Sequence, residues 1–196
     1  MTNIKSTEYL KNLGDLFLKI EVTTPQGKLS LDEGIEEAIR VIVEHTSQRK
    51  KIIFIGNGGS AAIASHQSVD YWKNGGMRAM AFNDTSLLTC IGNDYGYPYV
   101  FEKPIEMFAD EKDVLIAISS SGKSDNILNG AKMATKMKCP VITLSGFKTD
   151  NPLRALGDIN FYVPAPTGAY GFVEIAHLTL CHTFVDMIIE RNLIKK

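Results

Sequence analysis

Two hydrophobic periods divide the chain. Over residues 4–20, Tyr9, Leu10, Leu13, Leu16, Phe17 and Ile20 recur at spacings of three and four, the stripe of an amphipathic helix. Thr23-Thr24-Pro25-Gln26-Gly27 reads as a turn. Ser30 followed by Glu33 is a capping box, opening a second helix that carries Leu31, Ile35, Ala38, Ile39, Val41, Ile42 and Val43 and runs to about Glu44. Gly34 costs this helix a little propensity. Its apolar face widens toward the end, as expected of a helix that meets both its own core and a neighbouring subunit.

From Lys51 the pattern changes to short apolar runs separated by helical segments. Ile52-Ile53-Phe54-Ile55 contains no polar residue, which suits a parallel sheet covered on both faces. Further strands are expected at 114–118, 141–144 and 159–163, with a weaker one at 78–82. Helices are expected over 61–73, within 98–109, over 125–137 and 151–156, and over 172–191. The alternation predicts an α/β fold: a doubly wound, mostly parallel five-stranded sheet flanked by helices, with right-handed crossovers. One domain is expected over 1–196, with an N-terminal helical segment (1–48), a core (51–165) and a C-terminal helix (171–193). That last helix is apolar on most sides, so it and the N-terminal helices are expected at a subunit interface.

Composition narrows the function. Of 196 residues, 44% are hydrophobic, enough for a core, and 21 basic against 22 acidic residues leave a net charge of -1. No basic excess exists to hold a nucleic-acid backbone. Arg49-Lys50-Lys51 is the one basic cluster and reads as a solvated linker. Cys90, Cys139 and Cys181 form no CxxC and sit among apolar residues, so they read as buried, reduced thiols. The N-terminus shows no apolar export segment, and no run approaches the ~18 apolar residues of a membrane span. A cytoplasmic protein without membrane or nucleic-acid partners is expected.

The candidate chemistry lies in the turns. Gly56-Asn57-Gly58-Gly59-Ser60 joins a strand to a helix, where free N–H groups receive an anion and glycines let it come close. The spacing is neither a dinucleotide fingerprint nor a Walker A loop. Ser119-Ser120-Ser121-Gly122-Lys123-Ser124 repeats the arrangement, with four hydroxyls in six positions. Two such loops gather at the carboxyl ends of an open α/β sheet and form a phosphate cradle. His66 and Asp70, at i and i+4, share a helix face in an unusually polar setting, as an acid–base pair or half of a metal site. Glu174, His177 and His182 interrupt the greasy last helix. His177 reads as a satisfied interface histidine. Glu174 and His182 are eight residues apart, about 12 Å along a helix. Gly92-Asn93-Asp94 looks like a turn, and in a cleft Asp94 would accept bonds from sugar hydroxyls.

Together, GNGGSAA, His66 and Asp70, IGNDYG, ISSSGKS and a late Glu…His helix resemble the phosphoheptose isomerases, which are sugar isomerase (SIS) domain proteins. The likeness runs from about residue 30 to near the end. It implies cytoplasmic homotetramers that interconvert sedoheptulose 7-phosphate and D-glycero-D-manno-heptose 7-phosphate, commonly with zinc. By resemblance, Asn57, Gly58, Gly59, Ser60, Ser119, Ser120, Ser121 and Ser124 match phosphate and substrate contacts, and Asn93 and Asp94 a substrate-binding pair. His66, Asp70, Glu174 and His182 match the divalent-metal set, with Asp70 and His182 as base and second acid–base group. The family usually has glutamate at the position of Asp70 and glutamine at that of Glu174. It tends to carry an Asp-Arg pair where this chain has Gly171-Phe172, and an arginine shortly after the glutamate where Lys73-Asn74 stands. These departures bear on which sugar phosphate is used. An isomerase of another sugar phosphate, and a non-catalytic sugar-phosphate-binding SIS protein, are the alternative readings.

Overall fold

The computed structural model describes residues 5–194, so the first residue of the expected N-terminal helix, Ile4, lies outside it. Helix α1 (Ser6–Phe17) leads into a hairpin of β1 (Glu21–Thr24) and β2 (Gly27–Leu29). Helix α2 (Leu31–Ser47) starts at the expected capping box: Ser30 Oγ accepts from Glu33 N at 3.3 Å, and the Glu33 carboxylate accepts from Ser30 N at 2.8 Å. Then follow β3 (Ile52–Gly56), α3 (Gly59–Lys73), β4 (Ala79–Ala81), α4 (Thr85–Asp94), α5 (Glu102–Phe108), β5 (Val114–Ser119) and α6 (Asp125–Lys136). Strands β6 (Val141–Gly146) and β7 (Ile159–Val163) and helix α7 (Tyr170–Glu190) complete the chain. Single 3-10 turns occupy Tyr97–Tyr99 and Pro152–Ala155.

The sheet has seven strands, ordered β2-β1-β7-β6-β5-β3-β4, rather than the five expected. The five expected strands form its parallel part, and the hairpin adds two antiparallel strands beside β7. The hairpin escapes the sequence pattern because it is short and places one residue, Val22, fully in the core. The segment 1–48 is therefore not wholly helical. Val22 also explains Gly34: a Cβ there would lie 2.5 Å from Val22 Cγ1, so glycine lets α2 settle on the hairpin.

Side chains alternate across the parallel strands. Ile52, Phe54, Val114, Ile116, Ile118, Ile142 and Leu144 face α2, α3 and α7, while Ile53, Ile55, Leu115, Ala117 and Val141 face α5 and α6. Counted from β3, the parallel order is 2-1-3-4-5. Its reversal falls between β3 and β5, and ligands of open α/β sheets bind at such a crevice.

Three expectations are corrected. Lys51 is not a solvated linker residue but is buried, its ammonium paired with Asp110 at 2.8 Å and with the fully buried Asp113. Burial disfavours its charged form, yet the bonds to Asp110 and Asp113 outweigh this and hold its pKa above the usual lysine value. Cys90, on the outer side of α4, is exposed; Cys139 and Cys181 are buried as expected. Helix α7 has the length and mean hydropathy, 1.5, of a membrane-crossing helix. Here, however, Val173, Ala176, Leu180, Cys181, Phe184, Val185 and Ile188 belong to the core, and Glu174, His177, His182 and Asp186 interrupt it.

His177 points into that core with no exposed surface, its Nε2 3.2 Å from Ser145 O and its Nδ1 without a partner. Burial pushes its pKa down to about 4, despite the carbonyl. The folded chain thus holds His177 neutral at a pH where the unfolded chain, near 6.5, takes a proton. Stability is whole above about 6.5 and falls as pH drops toward 4. Urea unfolding between pH 7 and 4 is expected to show a smaller loss in His177→Phe than in the parent. Equal slopes would remove His177 as the cause.

Candidate active site

The loops after β3 and β5 meet at the crevice. Gly58 caps α3 in a left-handed conformation (φ 53°) that a side chain would resist, and no side chain bonds the first N–H groups of α3. Ser124 caps α6 without a bond from its own side chain, and Asn126 Oδ1 accepts from Ile127 N at 3.0 Å in the first turn. Between the two helix heads lies a cavity of about 270 Å³, lined by Asn57, Gly58, Gly59, Ser60, the three serines Ser119–Ser121, Ser124, Tyr170 and Glu174. The buried Ser120 Oγ has no partner. A buried hydroxyl left unpaired costs about 1–3 kcal/mol, which a ligand oxygen would recover. A larger cleft, of about 560 Å³, opens at the amino ends of the strands beside Pro140 and Asp158, away from the crevice.

Asn57 is locked in place. Its amide pairs reciprocally with that of the buried Asn126, at 2.9 and 2.8 Å, and its Oδ1 also accepts from Tyr97 Oη at 3.0 Å. Asn126 and Tyr97 were not singled out from the sequence. Asn126 closely follows the second serine loop, but nothing in the sequence places Tyr97 beside Asn57, forty residues away.

Helices α3 and α7 run side by side in the same direction, as three contacts show. The Glu174 carboxylate lies 2.5 Å from where a Gly59 Cβ would stand. Tyr71 Oη donates to Cys181 O at 3.0 Å. A Gly75 Cβ would sit 3.3 Å from Val185. Two turns beyond the cradle, Asp70 Oδ2 is 3.2 Å from His66 Nε2 and 3.7 Å from His182 Nδ1, and the two imidazole rings are 5.5 Å apart. One ligand atom from each of the three residues lies within 4.8 Å of the others. Two imidazoles and a carboxylate, open on the His66 side, suit a divalent ion with a coordination position left for substrate. Glu174 stands outside this trio, at the cradle. Asn93 and Asp94 do not line the cradle either: they end α4, exposed, where Asn93 donates to Asp94 at 2.8 Å.

The SIS domain model matches residues 19–146. A phosphoheptose isomerase of Aliarcobacter butzleri is 35% identical over 178 residues, covering 88% of this chain and 93% of its own. Phosphoheptose isomerase 1 of Campylobacter jejuni is 40% identical over 71% of this chain and 77% of its own. The solved phosphoheptose isomerase of Neisseria gonorrhoeae superposes with a TM-score of 0.80 at 31% identity, covering 93% of this chain and 96% of that one. The chain belongs to the phosphoheptose isomerase family. The Francisella tularensis phosphoheptose isomerase agrees in fold, with a TM-score of 0.81 at 26% identity over 96% of this chain and 100% of that one.

In this phosphoheptose isomerase family member the cradle gives a direct expectation. Ser60→Ala and Ser120→Ala should each weaken a sugar phosphate by about 1.5–3 kcal/mol, roughly ten- to a hundredfold in Kd. Binding of the unphosphorylated sugar should stay poor throughout. Titration calorimetry showing equal affinity of the parent for both sugars would reject the cradle.

Proposed function

We propose that the chain is an aldose–ketose isomerase that interconverts sedoheptulose 7-phosphate and D-glycero-D-manno-heptose 7-phosphate through an enediol(ate). The family supports the reaction class, and the spacing between cradle and His–Asp trio carries the substrate reading. Along α3, Gly59 is seven residues from His66 and eleven from Asp70, and along α7 Glu174 is eight from His182, so the trio's backbone positions stand about 10–16 Å from the cradle along the helix axes. An extended seven-carbon chain with its phosphate ester spans about 10 Å at bond lengths of about 1.5 Å. With the phosphate among Ser60, Ser119, Ser120, Ser121 and Ser124, the carbonyl end reaches the trio.

There Asp70 takes the proton from the carbon beside the carbonyl, and His182 serves the oxygen protons, before the proton returns to the neighbouring carbon. Asp70 is suited to the task because both imidazoles flank one of its oxygens, while Asn74 donates to the other at 3.2 Å. A divalent ion, zinc by preference for this donor set, would be held by His66, Asp70 and His182 and would polarise the carbonyl, taking the place of His182 at the oxygen while the His182 Nδ1 is bound. Glu174, beside the cradle, accepts from sugar hydroxyls near the phosphate. The exposed Val69 and Trp72, near Asp70 on α3, and Ile175, beside Glu174 on α7, fit the homotetramer that the resemblance implies.

A panel of five-, six- and seven-carbon sugar phosphates tests this. The heptose pair should be the best substrate, Asp70→Asn should lower kcat by about 10²–10⁴-fold, and elemental analysis should find one ion per chain. Full turnover by chelator-stripped protein would reject the ion and leave Asp70 with His182 as a purely organic pair. An ion bound without turnover of any sugar phosphate would make the chain a sugar-phosphate sensor.

A further inference from the structure

Gln67 is an anomaly on α3. Glutamine is rarely fully buried, yet this one has no exposed surface. It sits one residue from His66 and on the face of α3 turned to α7. Its Nε2 lies 3.0 Å from His182 Nε2, while its Oε1, also buried, has no partner. An amide nitrogen only donates, so in this arrangement His182 Nε2 accepts. A neutral imidazole then carries its proton on Nδ1, the nitrogen facing Asp70 at 3.7 Å.

That tautomer suits the pair of His182 with Asp70 but not the binding of an ion. Nδ1 is the ring nitrogen turned toward the trio, and a metal ligand must offer a lone pair. Its proton must then move to Nε2, where it needs an acceptor. The only polar side chain recorded against Nε2 among the described residues is Gln67. Turning the amide over by half a rotation exchanges the two ends: Oε1 then accepts from Nε2–H. A glutamine can serve both tautomers where a carboxylate or a lysine would serve one. Each orientation leaves the other end of the amide short of a partner, which accounts for the orphaned Oε1.

We propose that Gln67 is a positioning residue that sets the tautomer of His182: its NH2 holds the Nδ1–H form in the ion-free protein, and its reversed carbonyl holds the Nε2–H form when an ion occupies the trio. The second half rests on the proposed ion site; the first does not. Ligating histidines generally donate their second ring N–H to such a partner, and loss of that partner costs 10–100-fold in metal affinity.

The first measurement needs no variant. Nitrogen-15 histidine NMR of the ion-free parent should show His182 as a single Nδ1–H tautomer, and zinc should convert it to Nε2–H. The second compares two substitutions of similar size by competition with a zinc chelator. Gln67→Met, which offers neither function, should mix the tautomers and weaken zinc about 10–100-fold. Gln67→Glu, which only accepts, should fix Nε2–H without zinc and bind it at least as tightly as the parent. An ion-free parent with His182 already Nε2–H or mixed overturns the proposal, as does a Gln67→Met protein with unchanged tautomer. Parental zinc affinity in Gln67→Met overturns its second half. If the parent binds no zinc, the ion site falls, and the ion-free tautomer alone decides the role of Gln67.

Discussion

The close parallel approach of α3 and α7 determines the geometry of the whole active end. It is possible because small residues face α7 at both ends of α3: Gly59 in its first turn against Glu174, and Gly75, just past its last residue, against Val185. Between these points Tyr71 is fully buried, packs its ring edge-on to Phe54 of β3 at 5.1 Å, and gives its hydroxyl to a carbonyl of α7. One side chain thus ties both helices to the sheet, with its polar end satisfied as a buried phenol requires. The trio of His66, Asp70 and His182 lies on this seam, so its distances are inherited from backbone packing rather than from a flexible loop.

The seam also settles the electrostatics of the cradle. The first turn of α3 contains no acidic residue and its cap offers no side chain, so its positive end receives no compensation from its own sequence. Glu174 of α7 brings a carboxylate there. A phosphate entering the same cavity meets that charge, and the two anions share two helix heads. The head of α6, with its serine loop and the unpartnered Ser120 hydroxyl, favours the phosphate, while α3 is already matched by Glu174. With a phosphate so held, the carboxylate would face the sugar rather than the phosphate. It also gives physical content to a glutamate at a position where the family usually has a neutral glutamine.

What could be read from the sequence was what burial dictates. The parallel strands were found because both faces are covered and the runs are apolar. The capping box, both cradle turns and the pair of His66 and Asp70 are legible because each has a fixed spacing on a known element. His182 joins the pair only through the family resemblance, which also puts Glu174 in the set, whereas the structure groups His66, Asp70 and His182 alone. The hairpin of β1 and β2 was missed because an edge strand with one core residue has no apolar run. Helix α4 was read as a turn at its end. None of its residues is fully buried, and Leu87, Leu88 and Ile91 are only half covered; its start depends on Asp84 capping Leu87 N at 3.1 Å. Lys51 reads as solvated in the sequence because its partners lie about sixty residues away, at Asp110 and Asp113. Nothing local in the sequence marks Gln67 as buried.

The polar residues of α7 make sense once sorted by direction. His177 faces the sheet and is held neutral by burial; His182 faces α3 and Asp70; Glu174 reaches the head of α3. Thr179, Asp186 and Glu190 are exposed, and the helix resembles a membrane span by hydropathy alone because so few of its residues are charged. Its outer side carries Ile175, and the adjoining side of α3 carries Val69 and Trp72, all exposed in a single chain. The trio opens beside this apolar surface, with His66 half exposed. A copy of the chain seated there would exclude water from the trio, strengthen each charge interaction within it and turn an open groove into a closed site. Assembly would then be part of the catalytic device rather than an addition to it, and an apolar last helix is what such a device requires.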